Sequence, residues 1–211
     1  MARTGFFLSL DGPDGGGKTT QLAGLVDWLR GLGHEVVTCR DPGGTPLGDS
    51  IRSILLDRAT VGLDIRAEMF LYMASRAQLV AQVIVPALDA GKVVVCDRFL
   101  LANVVYQGYA GGMPVDLLWK VGEVATHGLM PDLTVVLDVD PDVAAARVGR
   151  PRDRMEDRTE ESRARVRDGF LRAAENYPGL IAVIDAGAEP EVVARRLRDE
   201  VARALALNPR T

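Results

Sequence analysis

Short apolar runs alternate along the chain with longer segments in which apolar residues recur every three or four positions. The strand candidates Phe6–Leu10, Glu35–Cys39, Val93–Cys96, Leu133–Val139 and Ile181–Ile184 are continuous rather than alternating. That pattern predicts parallel strands covered on both faces. The segments between them predict helices over Lys18–Gly31, Leu47–Leu56, Arg66–Ala90, Leu100–Gln107, Val115–Thr126, Pro141–Arg147, Glu160–Asn176 and Glu189–Leu207. Strand–helix alternation at this spacing predicts an α/β chain built on a three-layer parallel sheet. No internal repeat or long linker divides the 211 residues, so one domain over 1–211 is expected.

Composition sharpens the picture only a little. Hydrophobic residues make up 47% of the chain and aromatics only 5%, which suits an α/β core better than an aromatic-rich sandwich. The formal net charge of −4 argues against a surface that coats nucleic acid. Cys39 and Cys96 each end an apolar run and read as reduced thiols packed as small hydrophobes. The N-terminal MARTG leads straight into a strand candidate without a signal-peptide cleavage region, and no apolar run approaches the ~20 residues that span a membrane. A cytoplasmic protein is expected. One segment stands apart: Arg147–Arg163, RVGRPRDRMEDRTEESR, has one valine and one methionine as its only large apolar residues. By itself it reads as a solvated, salt-bridged surface segment.

The first chemistry appears after the first strand candidate. Gly12-Pro13-Asp14-Gly15-Gly16-Gly17-Lys18-Thr19 matches the phosphate-loop pattern of Gly, four residues, then Gly-Lys-Ser/Thr, and Thr20 continues into a helix pattern. Glycines let the backbone wrap an anion with its N–H groups, and the helix N-terminus adds favourable partial charge. Lys18 is placed to meet the β- and γ-phosphates, and the Thr19 hydroxyl to ligate Mg²⁺. The motif points to a nucleoside triphosphate, without naming a reaction.

A second set of residues follows the next strands: Arg40-Asp-Pro-Gly-Gly-Thr45, then Asp97-Arg98-Phe99 and a short helix reaching Tyr106-Gln107-Gly108. In an open parallel sheet, ligands bind beyond the carboxyl ends of the strands. Arg40 and Arg98 are therefore expected to point into the same crevice as the phosphate loop. Two guanidiniums beyond Lys18 suggest a second phosphorylated ligand, an acceptor monophosphate. Tyr72 and Arg76, four apart, share a helix face, as do Asn103, Tyr106 and Gln107.

The runs DGPDGGGKTTQ, RDPGGTPLG, LYMASRAQLV, CDRF, VVYQG and DRME, in this order and spacing, resemble the thymidylate kinase family of P-loop nucleoside-monophosphate kinases. The resemblance covers nearly the whole chain. It implies a five-stranded parallel sheet, a homodimer, ATP and Mg²⁺ as co-substrate and cofactor, and dTMP as acceptor. It also implies roles. Asp14 would contact the sugar 3′-hydroxyl, and Arg40 and Arg98 the acceptor phosphate, with Arg98 also near the transferred group. Asp97 would help Thr19 hold Mg²⁺. Tyr72 would stack on thymine, Arg76 would reach a base carbonyl, and Asn103 would face the base edge beside Gln107. Tyr106 would crowd the sugar 2′ position. The segment around 147–163 would be a basic lid supplying Arg150, Arg152 or Arg154 to the transfer, since Gly15 stands where some members carry a basic loop residue. Family members usually carry Glu at Asp11 and Asp41, often Ser at Ala102, and commonly Phe at Ser162. The competing reading is another nucleoside-monophosphate kinase, acting on UMP, CMP or AMP.

Overall fold

The computed structural model describes residues 4–147, except 58 and 61, and 159–207. Five strands form one parallel sheet: β1 (Phe6–Asp11), β2 (Val36–Arg40), β3 (Val93–Asp97), β4 (Leu133–Asp138) and β5 (Ile181–Asp185), in the order β2-β3-β1-β4-β5. Every residue of the central strand β1 is buried. Its alternate side chains feed different cores. Phe6, Leu8 and Leu10 pack with one group of helices, including α1 (Lys18–Gly31) and α9 (Pro190–Leu207). Phe7 joins a second core with Val94 and Cys96 of β3. A strand clothed on both faces has no solvent-facing alternation to keep, which explains its continuous apolar run.

The remaining helices are α2 (Pro46–Leu56), α3 (Ile65–Leu79), α4 (Val85–Asp89), α5 (Leu100–Asn103), α6 (Val115–Thr126), α7 (Pro141–Arg147) and α8 (Glu160–Asn176). Two of the expected helices are not regular throughout. The stretch expected as one helix over Arg66–Ala90 passes from α3 to α4 through a π-helical turn, Val80–Ile84, just before Pro86. Pro86 has no N–H to give to the carbonyl one α-turn back, and the wider turn takes up that break. Likewise α5 continues as π-helical turns over Val104–Tyr109, where the Ala110 N–H donates to the Val105 carbonyl five residues earlier.

By length and composition the continuous helical path Ile65–Asp89 is apolar enough to cross a membrane, contrary to the expectation from run lengths. Its residues Met69, Met73, Leu79, Val80, Ile84 and Leu88 are nevertheless buried in the second core. It also carries Arg66, Glu68 and Arg76, so it is a core helix.

The topology decides where chemistry can occur. Parallel strands end on the same side, so the turns after β1, β2, β3 and β4 meet at one edge. Register brings them close: Leu10 pairs with Asp97, and Arg40 pairs with Asp97 from the other side. The loop after β1 and the Asp97–Arg98 turn after β3 therefore adjoin.

Candidate active site

The loop between β1 and α1 is shaped by glycines that cannot be replaced cheaply. Gly12 has φ 129°, and a Cβ there would stand 2.5 Å from the Leu137 carbonyl oxygen. Gly15 has φ 80°, and its Cβ would stand 2.4 Å from the Ala144 carbonyl oxygen of α7. The backbone of α7 thus occupies the space that a basic side chain at position 15 would need. The loop feeds α1 through Gly17 in the left-handed region, with no side-chain cap on the helix end. The leading N–H groups of such a helix are donors available to an anion.

Lys18 is buried and folds back over the loop, donating to the carbonyls of Gly12 at 3.1 Å and Pro13 at 2.7 Å. Burial, aided by the nearby Arg98 charge, brings its pKa down to about 8. Asp11, behind it at the end of β1, accepts from the Ser9 hydroxyl at 2.5 Å, and burial pushes its carboxyl up to about 6.

Arg98 crosses from β3 to the loop. Its backbone lies in the left-handed region at φ 67°, which costs a non-glycine residue roughly 1–3 kcal/mol. Its N–H donates to the Leu10 carbonyl at 3.0 Å, and its guanidinium donates to the Gly12 carbonyl at 2.8 Å and to Asp14 Oδ1 at 2.5 Å. The guanidinium also lies 5.3 Å from the centre of the Tyr106 ring, and the Tyr106 hydroxyl donates to Asp14 Oδ2 at 3.0 Å. Burial alone would raise the Asp14 pKa, but Arg98, Lys18 and the Tyr106 hydroxyl hold it below the ordinary value. Burial opposes charge on Arg98 as well, yet Tyr106, Asp14, Asp97 and Asp11 keep its pKa raised. Asp97 Oδ1 is buried with no hydrogen-bond partner among the described residues.

The other wall is a buried polar network. Arg76 is 1% exposed; its Nε donates to Asp41 Oδ2 at 2.6 Å and its Nη1 to Asn103 Oδ1 at 3.1 Å. Its guanidinium sits 5.5 Å from the Phe99 ring centre. Asn103 Nδ2 donates to Gln107 Oε1, and Gln107 Nε2 donates to Glu68 Oε1, both at 2.5 Å. The shorter carboxylate at position 41 therefore still reaches its arginine. Burial raises the Asp41 pKa against the pull of Arg76.

These parts line one cleft of about 700 Å³, within the range of small-molecule sites. Of the expected residues, Asp14, Gly15, Gly16, Gly17, Lys18, Thr19, Thr20, Tyr72, Arg76, Asp97, Arg98, Asn103, Tyr106 and Gln107 line it. Gly12 and Pro13 lie behind it as carbonyl acceptors for Lys18. Arg40 does not join Arg98 there. It ion-pairs with Asp49 of α2 at 3.1 Å with an exposed side chain, because Asp49 stands close to the strand end and also accepts from the Gly44 N–H. Arg52 of α2 lines the cleft instead, its Nη1 donating to the Pro42 carbonyl at 3.0 Å. Its only signal in the sequence is its place beside the apolar stripe of Ile51 and Leu55. Arg150, Arg152 and Arg154 lie outside the described residues. Arg147, at the end of α7, does line the cleft and donates to the Ala186 carbonyl at 2.8 Å. Beside it stand Gln21, Ala188, Pro190 and Val193, an end of the cleft that no motif announced.

The Arg76–Asp41 pair makes the wall fragile. Arg76→Met should destabilise the fold by about 3–5 kcal/mol, since it strands a buried carboxylate whose second oxygen already has no partner among the described residues. Adding Asp41→Asn should recover much of that loss in urea unfolding. A single-variant loss below ~1 kcal/mol would show that the pair does not hold the wall.

Comparison with known proteins identifies the family and the fold. A family model described as thymidylate kinase matches residues 10–197. The chain is 44% identical over 199 residues to the thymidylate kinase of Symbiobacterium thermophilum, covering 92% of this chain and 93% of that protein. It is 47% identical over 185 residues to the thymidylate kinase of Deinococcus radiodurans, covering 86% of this chain and 89% of that one. The crystal structure of thymidylate kinase from Ehrlichia chaffeensis superposes with a TM-score of 0.76 at 31% identity, covering 94% of this chain and 98% of that chain. With its glycine loop, its Asp97–Arg98 turn and its five-stranded sheet, the chain belongs to the thymidylate kinase family.

Proposed function

We propose that the chain transfers the γ-phosphate of ATP to dTMP, giving dTDP and ADP, as one catalytic domain with a lid over about 147–163. The observation that carries this reading is a continuous cleft joining the Lys18 loop to the Arg76–Asn103 wall through Arg98. The donor's phosphates would lie on the loop N–H groups and Lys18, with its base toward Arg147 and the Ala186–Pro190 turn. The acceptor's base would lie between Tyr72 and the Arg76–Asn103 wall, and its sugar across Tyr106 and Asp14. Its phosphate would then reach Arg98, with Arg52 rather than Arg40 as the second guanidinium.

Phosphoryl transfer asks the protein for alignment and charge neutralisation rather than a covalent intermediate. Arg98 has its charge held by four acidic or phenolic neighbours and needs no proton exchange to serve. Thr19, exposed in the cleft, and Asp97, whose buried Oδ1 has no partner among the described residues, would hold Mg²⁺. Among the described residues no group of three or more His, Cys, Asp or Glu is placed for a metal. Two protein oxygens completed by water and phosphate suit Mg²⁺. Mg²⁺ held there by Thr19 and Asp97 would supply positive charge to offset that of the donor phosphates. The lid arginines Arg150, Arg152 and Arg154 would cover the transferred group and exclude water. Cys39 and Cys96, register partners on β2 and β3, are free thiols, which suits a cytoplasmic enzyme.

Purified protein with ATP and Mg²⁺ should phosphorylate dTMP in preference to UMP, CMP and AMP. Lys18→Ala should lower kcat by about 10²–10³ while leaving the fold intact. Near-normal turnover in the folded variant, or a preference for another monophosphate, would contradict this reading.

A homodimer is part of the proposal. Ala67, Phe70, Ala74 and Ala81 are exposed at helical spacing along the α3 path, and Phe70 is 60% exposed. Leu47 and Ile54 of α2 and Leu117 and Val124 of α6 are also exposed. Large apolar side chains in such number call for a partner surface. Phe70→Glu should shift the light-scattering mass from about twice the 22.7 kDa chain to a single chain. An unchanged mass would place the interface elsewhere.

A further inference from the structure

Behind the acceptor wall, one carboxylate outside the cleft closes the hydrogen-bonded series of side chains described above. Glu68 sits on α3, one turn before Tyr72 and two before Arg76, and is buried. It does not line the cleft, whereas Gln107, Asn103 and Arg76 all do. The series runs from Arg76 through Asn103 and Gln107 to Glu68, with both amides buried to within 2% of full exclusion.

We propose that Glu68 is a positioning residue that fixes the polarity of this relay and thereby makes the wall select a thymine-type over a cytosine-type base. This rests on the acceptor assignment given above. The reasoning is a matter of donor and acceptor inventory. A guanidinium can only donate, and a carboxylate can only accept. Two amides strung between them have one arrangement that satisfies every link: each oxygen faces the arginine end and each nitrogen faces the carboxylate end. The two ends, rather than any choice made at the amides, orient Asn103. With Glu68 in place, the Asn103 oxygen is held beside the Arg76 guanidinium.

Arg76 Nη1 is taken up by Met73 Sδ and Asn103 Oδ1, whereas Nη2 has only the Phe99 carbonyl at 3.5 Å among its described acceptors, so the wall carries a donor, Nη2, next to an acceptor, the Asn103 oxygen. A base edge with a carbonyl next to an N–H, as in thymine and uracil, complements that pair. Cytosine carries an exocyclic amine next to an unprotonated ring nitrogen, so it meets donor with donor and acceptor with acceptor. A site built to satisfy one polar edge rejects the inverse edge strongly, because both partners are left unpaired away from water. If Glu68 were apolar, the Gln107 nitrogen would lose its acceptor and the amide could turn over. Asn103 would then lose the neighbour that holds its nitrogen away from Arg76.

The test reads binding rather than turnover. Calorimetry with dTMP and with dCMP gives the ratio of their dissociation constants for wild type, Glu68→Met and Glu68→Gln. The wild-type ratio is expected at ~100-fold or more in favour of dTMP. Glu68→Met, similar in size but without an acceptor, should cut it at least about tenfold. Glu68→Gln can still accept through its amide oxygen and should stay within about threefold of wild type. A general loosening of the wall would weaken both nucleotides together and leave the ratio unchanged in Glu68→Met; that outcome overturns the proposal. If Glu68→Met does not fold, Gln107→Met interrupts the same relay one link later and must lower the ratio likewise. A wild-type ratio in folded Gln107→Met would overturn the proposal as well. Wild-type phosphorylation of dTMP is measured alongside. Its absence with the binding ratio intact would fault the proposed reaction and leave the relay standing.

Discussion

One guanidinium ties the two halves of this site together. Arg98 leaves β3 in a strained left-handed conformation, reaches the Gly12 carbonyl of the loop after β1, and grips Asp14 while lying against Tyr106. Parallel pairing of β1 with β3 makes this possible, because it ends both strands at one edge with Leu10 opposite Asp97. The backbone strain is tolerated since several hydrogen bonds over-determine the geometry. Without that cross-tie, the glycine loop and the Arg76–Asn103 wall would be two surfaces that merely adjoin. With it, a phosphate bound at Arg98 is fixed relative to phosphates bound at Lys18.

Charge in the site is balanced locally. The chain is acidic as a whole, yet Lys18, Arg52, Arg76, Arg98 and Arg147 border one cleft. Each described contact uses them differently. Lys18 rests on carbonyls that a phosphate could replace, whereas Arg76 is tied to the wall through Nε on Asp41 and Nη1 on Asn103, with Nη2 more loosely held by the Phe99 carbonyl at 3.5 Å. Arg98 lies between these extremes. Such a division suits a site that must bind two anions firmly at different places while leaving one lysine able to follow the charge that moves.

Contiguous motifs were legible in the sequence, and contacts between distant segments were not. α1, α6, α7 and α8 have the bounds that the apolar spacing predicts, and each strand lies within a residue of its expected place. The π-helical turns escaped because one extra residue in a turn leaves no compositional trace, although Pro86 marks one of them. The glycine loop and the Asp97–Arg98 turn could be read because their chemistry is contiguous. Arg40 could not be placed, since its fate depends on Asp49, a competitor nine residues away on another element. The relay from Asp41 to Glu68 joins five residues from three segments. Only packing brings them together, so no window of sequence displays it.

In the proposed arrangement, one cleft would hold donor and acceptor nucleotides end to end, with their phosphates meeting at Lys18 and Arg98. Adenosine and thymidine joined through a chain of five phosphates should span it. Calorimetry should find one such molecule per chain, bound at least ~10² times more tightly than either ATP or dTMP alone, because the second half binds at high effective concentration. It should displace both nucleotides. Affinity no better than that of ATP, with dTMP still able to bind beside it, would mean that the two nucleotides occupy separate sites and would contradict the account.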